Sequence, residues 1–169
     1  MFQISISDFI NRVVSSEERI GFSFVDPYGH LSTCRYLELF VNHRVSAPDE
    51  QQGISTMQLA KSNIGIFLSH SSVDYLRPTK LGDTVNIFSW VQSFSASGFE
   101  IYGVMCNSER KFAHATFQVS VRTVDLATGK PIPLPRTLPC RSDTLMQNLP
   151  LRNHFIKPIK GIPACWFER

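Results

Sequence analysis

One stretch of this sequence decides the fold, and it reads Phe24-Val25-Asp26-Pro27-Tyr28-Gly29-His30-Leu31. Pro27 disfavours a helical conformation for the residue before it, so Asp26 is expected to be extended. Gly29 permits backbone angles that other residues resist, which suits a tight turn. Apolar residues at helical spacing follow directly, over residues 32–47. The stretch therefore predicts that a strand ends at Asp26, that the chain turns, and that a helix begins near Leu31.

This turn would place a carboxylate beside the start of a helix. The first backbone N–H groups of a helix have no partner within it and carry partial positive charge, so they can polarise a carbonyl oxygen. A carboxylate next to such an oxyanion hole is suited to attack on a carbonyl carbon, directly or through an activated water molecule. Asp26 is thus the first candidate for a catalytic residue, although an aspartate before Pro-x-Gly also serves as a simple turn cap.

The remaining elements are predicted from periodicity and from turn residues. Helices are predicted at residues 7–14, 32–47 and 55–61. Strands are predicted at residues 20–26, 64–76, 84–94, 99–106 and 112–124. Short polar turns join the last strands, which indicates an antiparallel meander.

The composition changes after residue 130. Prolines recur at 131, 133, 135 and 139, which is typical of an extended segment. A short helix is predicted at 142–149. The apolar side chains near the end of the sequence predict that residues 150–169 pack against the domain or a neighbouring subunit. These side chains are Ile156, Ile159, Trp166 and Phe167.

Two motifs together resemble a known family. The first is Asp26-Pro27-x-Gly29-His30-Leu31 followed by Tyr36, and the second is Val73-Asp74-Tyr75-Leu76-Arg77-Pro78 with Leu81-Gly82-Asp83-Thr84-Val85. Their order and separation are similar to those of hotdog-fold acyl-coenzyme A thioesterases of the 4-hydroxybenzoyl-coenzyme A thioesterase type. The resemblance covers roughly residues 17–125. It implies an α+β fold, a single hotdog over residues 1–130, in which a curved antiparallel sheet wraps around the central helix. Residues 131–169 would form a C-terminal extension.

The resemblance also implies the roles of several residues. Asp26 matches the family's nucleophile or general base, and the backbone N–H of Thr33 matches the group that polarises the thioester carbonyl. Gly29 would serve the turn and let the ligand approach closely. For His30 two interpretations stay open: it hydrogen-bonds the substrate or orients Asp26, or it only holds the turn.

Three further residues are candidates for binding the substrate and its coenzyme A. Tyr36 matches an aromatic residue on the family's helix, with core packing as the alternative. Arg77 and Lys80 lie where related enzymes carry basic residues near the nucleotide of coenzyme A, with exposed turn charges as the alternative. Other basic candidates for that role are Arg110, Lys111 and Arg122.

The histidines outside the motifs are interpreted as structural or exposed. His70 stands among serines, but no acid is placed to complete a triad and no G-x-S-x-G motif exists, so a polar strand face is the better interpretation. His43 and His114 are likewise expected to be structural or exposed.

The composition argues against several other classes of protein. The chain has 169 residues, enough for one domain with a sizeable core, and 43% of them are apolar. A net charge of +3 without a basic stripe argues against nucleic-acid binding. Four cysteines without metal-ligand spacing predict free thiols and no metal. No redox cofactor is expected, and coenzyme A enters only as part of the substrate. The absence of a long apolar run or a targeting pattern predicts a cytoplasmic protein without a membrane span.

The predicted reaction is hydrolysis of an acyl-coenzyme A or acyl-carrier-protein thioester to a free acid and a thiol. Two alternatives stay open: a hotdog enoyl-thioester hydratase or dehydratase, and a non-catalytic acyl-thioester-binding protein. A curved sheet has an open edge, and the family pairs two such sheets. We therefore expect a homodimer or homotetramer with the active site at the subunit interface. The acyl group, the carrier and the exact assembly stay open at this point.

Overall fold

A five-stranded antiparallel sheet with one long helix forms the centre of the structure. The structure is a computed structural model, and it describes residues 2–5, 13–47, 56–134 and 137–140. The elements in chain order are β1 (Phe2–Ser5), β2 (Val13–Arg19), a 3₁₀ helix (Phe22–Phe24), α1 (Thr33–Ser46), α2 (Thr56–Lys61), β3 (Ile64–Tyr75), β4 (Thr84–Ser95), β5 (Gly98–Asn107), β6 (Ala113–Asp125) and β7 (Thr137–Cys140).

The sheet has the strand order β2-β4-β5-β6-β3, and every neighbouring pair is antiparallel. Register shifts interrupt the ladder in β3 between Leu68 and His70, and in β4 between Val91 and Ser93. Such irregularities bend a strand and increase its twist, which curves the sheet. The predicted α+β hotdog fold, with a curved antiparallel sheet and a central helix, is confirmed. The short strands β1 and β7 pair with each other in a separate two-stranded sheet.

Helix α1 packs on one face of this sheet through a stripe of buried residues. Their spacing along the helix is the i, i+3, i+4, i+7 pattern of an amphipathic helix, and they are Tyr36, Leu39, Phe40 and His43. The Phe40 ring stacks on Phe117 of β6, with ring centroids 4.5 Å apart. Gly103 of β5 lies beneath the Phe40 ring, and a Cβ atom there would be 2.1 Å from the ring. The close approach of α1 to the sheet therefore requires glycine at position 103.

The predicted helix at 32–47 and the four long strands after residue 63 are confirmed, each within about two residues at either end. The predicted strand at 20–26 is wrong, because a 3₁₀ helix occupies Phe22–Phe24. Ile20 is buried but Phe22 is 84% exposed, so the apolar alternation does not mark one buried face.

The predicted helix at 7–14 is wrong at its end, since Val13 and Val14 begin β2; its first six residues lie outside the described part. β2 pairs along β4 at the edge of the sheet, and this pairing overrides the local helical pattern. Ser15, Glu17 and Glu18 are exposed, which suits an edge strand. The predictions for residues 142–149 and 150–169 also lie outside the described residues. Neither β1 nor β7 was predicted.

Within the described part of the chain, no helix is both long and apolar enough to cross a membrane.

Candidate active site

The Asp26 carboxylate is fixed by the turn that contains it. Its Oδ1 atom accepts hydrogen bonds from the backbone N–H groups of Tyr28, at 2.9 Å, and of His30, at 3.0 Å. The backbone closes the same turn, because the Asp26 N–H donates to the His30 carbonyl and the Gly29 N–H donates to the Asp26 carbonyl. Gly29 has a φ of 75°, which favours glycine. The other carboxylate atom, Oδ2, has no hydrogen-bond partner among the described residues.

The segment before β4 is hydrogen-bonded to the Asp26 turn. The Leu31 N–H donates to the Thr79 carbonyl at 2.7 Å, and the Leu81 N–H donates to the Gly29 carbonyl at 3.0 Å. Between these two bonds, Lys80 pairs with His30 as an antiparallel bridge. The two motifs that the sequence analysis identified are therefore in direct contact. His30 holds the turn through its backbone, and its imidazole has no hydrogen-bond partner within the described ranges.

The start of α1 leaves two backbone N–H groups open. Ser32 is the N-cap residue, but its side chain makes no capping hydrogen bond. Four preceding N–H groups already donate to acceptors in the turn and its neighbours; they belong to Gly29, His30, Leu31 and Ser32. The N–H groups of Thr33 and Cys34 have no acceptor in the part of the chain that the structure describes. Within the segment Gly29–Thr33, which was predicted to bind the oxyanion, Thr33 is thus the residue whose N–H has no acceptor among the described residues, and the Cys34 N–H follows it.

Tyr36 ties the start of α1 to the second motif. Its side chain is buried, and its hydroxyl donates to Thr79 Oγ1 at 3.2 Å while accepting from the Thr79 N–H at 3.1 Å. The ring packs edge-on against Tyr75, whose hydroxyl donates to the Thr33 carbonyl. These contacts favour a packing role for Tyr36 over direct contact with a substrate. The contact with Thr79 was not predicted, because 43 residues separate Thr79 from Tyr36 in the sequence.

The two basic candidates Arg77 and Lys80 are both exposed, and they lie at different places. Lys80 is adjacent to the Asp26 turn through its pairing with His30. The Arg77 guanidinium lies over the Phe112 ring, 4.7 Å from its centroid, at the start of β6. The alternatives Arg110, Lys111 and Arg122 are engaged with an aromatic ring, a glutamate and a serine, respectively.

The remaining histidines were predicted to be structural or exposed, and their positions are consistent with that. His114 is buried, and its Nδ1 lies 3.2 Å from the Pro78 carbonyl; burial lowers the pKa of its ring. His70 is exposed on β3 and belongs to no triad among the described residues. No cluster of three or more His, Cys, Asp or Glu side chains in the described ranges is placed to hold a metal ion.

His43 lies in a buried polar network beneath α1. Its Nδ1 is 2.7 Å from Ser16 Oγ, and its Nε2 is 2.9 Å from Ser89 Oγ. Arg44 donates to the same Ser89 oxygen at 3.2 Å, so the Ser89 proton can be donated to Nε2. Burial, together with the charge of Arg44, lowers the pKa of His43 to about 3. The imidazole is therefore neutral at pH 7.

A curved sheet around one helix, with an aspartate turn at the start of that helix, defines a hotdog protein with a thioesterase-like site. The family model of the thioesterase-like superfamily matches residues 20–148 of the chain. The chain belongs to this superfamily, and the predicted family and enzyme class are confirmed. No curated protein matches the chain in sequence.

Solved structures of other thioesterases share the fold. The chain is similar to YbaW, a probable thioesterase from Escherichia coli, with a TM-score of 0.65 and 22% identity over 72% of this chain and 90% of that one. It is also similar to Slr0204, a 1,4-dihydroxy-2-naphthoyl-CoA thioesterase from Synechocystis, with a TM-score of 0.64 and 19% identity over 73% and 90%. A third is the 12:0-ACP thioesterase from Umbellularia californica, with a TM-score of 0.65 and 15% identity over 73% and 46%.

Proposed function

We propose that this protein hydrolyses an acyl-coenzyme A or acyl-carrier-protein thioester to a free acid and a thiol. The observation that carries the proposal is the geometry of the Asp26 turn. One carboxylate oxygen is held by two backbone N–H groups, while the other has no partner among the described residues. Helix α1 begins shortly after this turn, and its N-cap side chain makes no capping hydrogen bond. Membership of the thioesterase-like superfamily supports the same reaction.

The start of α1 would hold the carbonyl oxygen of the thioester. The N–H groups of Thr33 and Cys34 lie at the positive end of the helix dipole and have no other acceptor within the described residues. Negative charge develops on the carbonyl oxygen when a nucleophile adds to the carbon, and fixed N–H donors stabilise this charge.

Asp26 would then act in one of two ways, and both give the same products. As a nucleophile, its Oδ2 adds to the carbonyl carbon, the thiolate leaves, and water hydrolyses the resulting mixed anhydride. As a general base, Asp26 takes a proton from water, the hydroxide adds to the carbon, and the thiolate leaves and is protonated. Neither route uses a metal or a redox cofactor.

The carrier would be recognised near the turn. Lys80 is an exposed cation on the segment that contacts the turn, and Arg77 is an exposed cation that lies over the Phe112 ring. Both suit the phosphates of coenzyme A. Coenzyme A and acyl-carrier protein are both included because one similar structure is named for a CoA thioester and another for an ACP thioester.

The site would be completed at a subunit interface. Among the strands that the structure describes, β3 ends one side of the sheet and has no neighbour on its outer edge, which a second subunit can pair. We therefore propose that the protein forms a homodimer or homotetramer. We also propose that it acts in the cytoplasm.

The test is a screen of hydrolysis across short, long and aromatic acyl-coenzyme A esters and acyl-carrier proteins, with detection of the free thiol. We expect thiol release from at least one class. Hydration of an enoyl-thioester without thiol release would instead identify a hydratase. Tight binding of the thioesters without turnover would identify a binding protein.

A further inference from the structure

A cavity of about 210 Å³ lies between the second half of α1 and the strands β3, β5 and β6. Apolar side chains form most of its wall, including Val41 and Val45 from α1 and Leu68, Ile101 and Val119 from the sheet. Such an apolar cleft suits a hydrocarbon chain, because apolar surface is removed from water when the chain enters.

One face of α1 connects the candidate active site to this cavity. Leu37 and Val41 follow Thr33 at intervals of four residues, and Arg44 follows Val41 after three, so these residues form one stripe along the helix. β3 runs beside this face, since Tyr75 at its end bonds to Thr33 while Leu68 lines the cavity. A chain attached to a carbonyl at the start of α1 can thus extend along the helix into the cavity.

Arg44 is the charged side chain in the cavity wall, and nothing in the described part of the chain neutralises it. One guanidinium N–H group donates to Ser89 Oγ, and no carboxylate in the described ranges is within ion-pair distance. Burial lowers the pKa of Arg44 to about 10, so it is still a cation at pH 7. The neighbouring His43 is neutral and supplies no negative charge.

A partly buried cation without a counter-ion is unfavourable, and the apolar wall around Arg44 offers it no charge of opposite sign. A carboxylate entering the cavity would supply the missing charge and accept hydrogen bonds from the guanidinium. The start of α1 and Arg44 are eleven residues apart, about 16 Å along the helix axis. That separation leaves room for an extended chain between a thioester at one end and a carboxylate at the other.

We propose that the cavity binds the far end of the acyl group and that Arg44 recognises a carboxylate there. The preferred substrate class is then the monothioester of a dicarboxylic acid. This inference depends on the proposed hydrolysis for its kinetic test, but it concerns the end of the acyl group that does not react.

The experiment compares coenzyme A thioesters in pairs of equal chain length, one ending in a methyl group and the other in a carboxylate. For the unmodified protein we expect kcat/KM to be at least about tenfold higher for the carboxylate member at the best length. Arg44→Met should abolish or reverse this preference and should melt at no lower temperature, because it removes a partly buried charge that has no counter-ion among the described residues. The matched control is Arg19→Met, which removes an exposed cation from β2 at the opposite edge of the sheet.

A preference for the methyl-ended member, or an unchanged preference in Arg44→Met, would overturn the proposal. Non-hydrolysable thioether analogues of the same pairs give a separate readout, namely their dissociation constants. If no thioester is cleaved, the proposed hydrolysis fails, and the affinities of these analogues still decide the role of Arg44. An equal affinity for both analogues would then contradict the inference.

Discussion

At the scale of single residues, Asp26 and His43 show how neighbouring groups set the chemistry of an ionisable side chain. Asp26 is anchored through one oxygen, and its other oxygen has no hydrogen-bond partner among the described residues. The two ring nitrogens of His43 contact Ser16 and Ser89. Burial favours the neutral imidazole, because a buried imidazolium would lack a counter-charge. The first residue is a candidate for catalysis, and the second is expected to contribute to the loss of stability in acid.

His43 should make the protein less stable in acid. The unfolded chain holds this histidine with an ordinary pKa near 6.5, whereas in the folded protein the pKa is lowered to about 3. Between these values the unfolded state binds more protons, so stability falls as pH falls from about 6.5 toward 3. We expect a loss of up to about 1.4 kcal/mol per pH unit from this one group.

The measurement is denaturant unfolding at several pH values for the unmodified protein and for His43→Gln. In His43→Gln, most of the decrease in unfolding free energy between about pH 6.5 and 3 that His43 causes should disappear. The exposed control His70→Gln should show the same decrease as the unmodified protein. Equal slopes in all three proteins would show that His43 is not the group responsible. His114, whose pKa is lowered in the same direction by burial, adds to the slope in every variant.

Single residues of the candidate site could be predicted from the sequence only where they belong to a local motif. Asp26, Gly29 and Thr33 lie in one short stretch whose turn chemistry is readable from the sequence. The open N–H of Cys34 was not predicted, since it depends on which neighbouring N–H groups find acceptors. The proposed role of Arg44 was not predicted either. It depends on a cavity whose wall includes three strands that are far from Arg44 in the sequence.

At the scale of elements, the contact between α1 and the sheet depends on a single glycine. A side chain at Gly103 would meet the Phe40 ring at 2.1 Å and the Phe88 carbonyl oxygen at 2.9 Å. We expect Gly103→Ala to lower the free energy of unfolding by about 1–3 kcal/mol, because the helix must move to admit the methyl group.

Chemical denaturation of Gly103→Ala beside Gly21→Ala checks this expectation. A Cβ at Gly21 would lie 3.8 Å from its nearest neighbour, which is an ordinary contact, so that variant should unfold nearly as the unmodified protein does. Equal stability of the two alanine variants would mean that α1 is not packed on β5 as described.

The hydroxyl of Tyr36 joins α1 to the segment before β4. In Tyr36→Phe, the buried Thr79 N–H and hydroxyl would both lose their partner, at a cost of about 1–3 kcal/mol. The start of α1 would also be less well positioned, so we expect a fall in kcat. Tyr75→Phe is the control for stability, since the Tyr75 hydroxyl is exposed and makes one long hydrogen bond. A Tyr36→Phe protein that melts like Tyr75→Phe would argue against this role.

Most elements were predictable because their patterns agree with their final burial. α1 carries a clear helical stripe, and the alternation of apolar and polar residues in β6 matches its burial from Phe117 to Arg122. At the start of β6 the polar His114 and Thr116 are buried as well. The errors occurred near the N-terminus, at residues 13–26, where local spacing and tertiary pairing disagree. β2 is recognisable only from its pairing with β4, a partner about 70 residues further along the chain.

At the scale of the whole molecule, the two edges of the sheet differ. β2 carries exposed charged residues along its edge, which discourages pairing with another strand. β3 is longer and exposes large apolar side chains, including Phe67, Leu68 and Tyr75. We therefore expect a second subunit to pair along β3 and not along β2.

Light scattering at micromolar concentration should show a dimer or a tetramer. Phe67→Lys should shift the protein toward the monomer, because it places a charge on the pairing edge, whereas Glu18→Lys on β2 should not. A monomeric unmodified protein would count against an active site at a subunit interface.

The central claim is that Asp26 performs the chemistry, and one comparison tests it most directly. Asp26→Asn keeps the Oδ1 acceptor for the Tyr28 and His30 N–H groups but can neither attack a carbonyl nor take a proton. Asp125→Asn is the matched control, since Asp125 caps a turn in the same way, by accepting from the Thr128 N–H at 2.7 Å, but lies at the end of β6.

Steady-state thioester hydrolysis is measured for both variants with the best substrate of the screen, beside their thermal melting. We predict that Asp26→Asn lowers turnover by at least about 100-fold, with stability within about 1 kcal/mol of the unmodified protein. Asp125→Asn should hydrolyse the substrate at the unmodified rate. Full activity in Asp26→Asn would contradict the account and would leave Asp26 as a turn cap only.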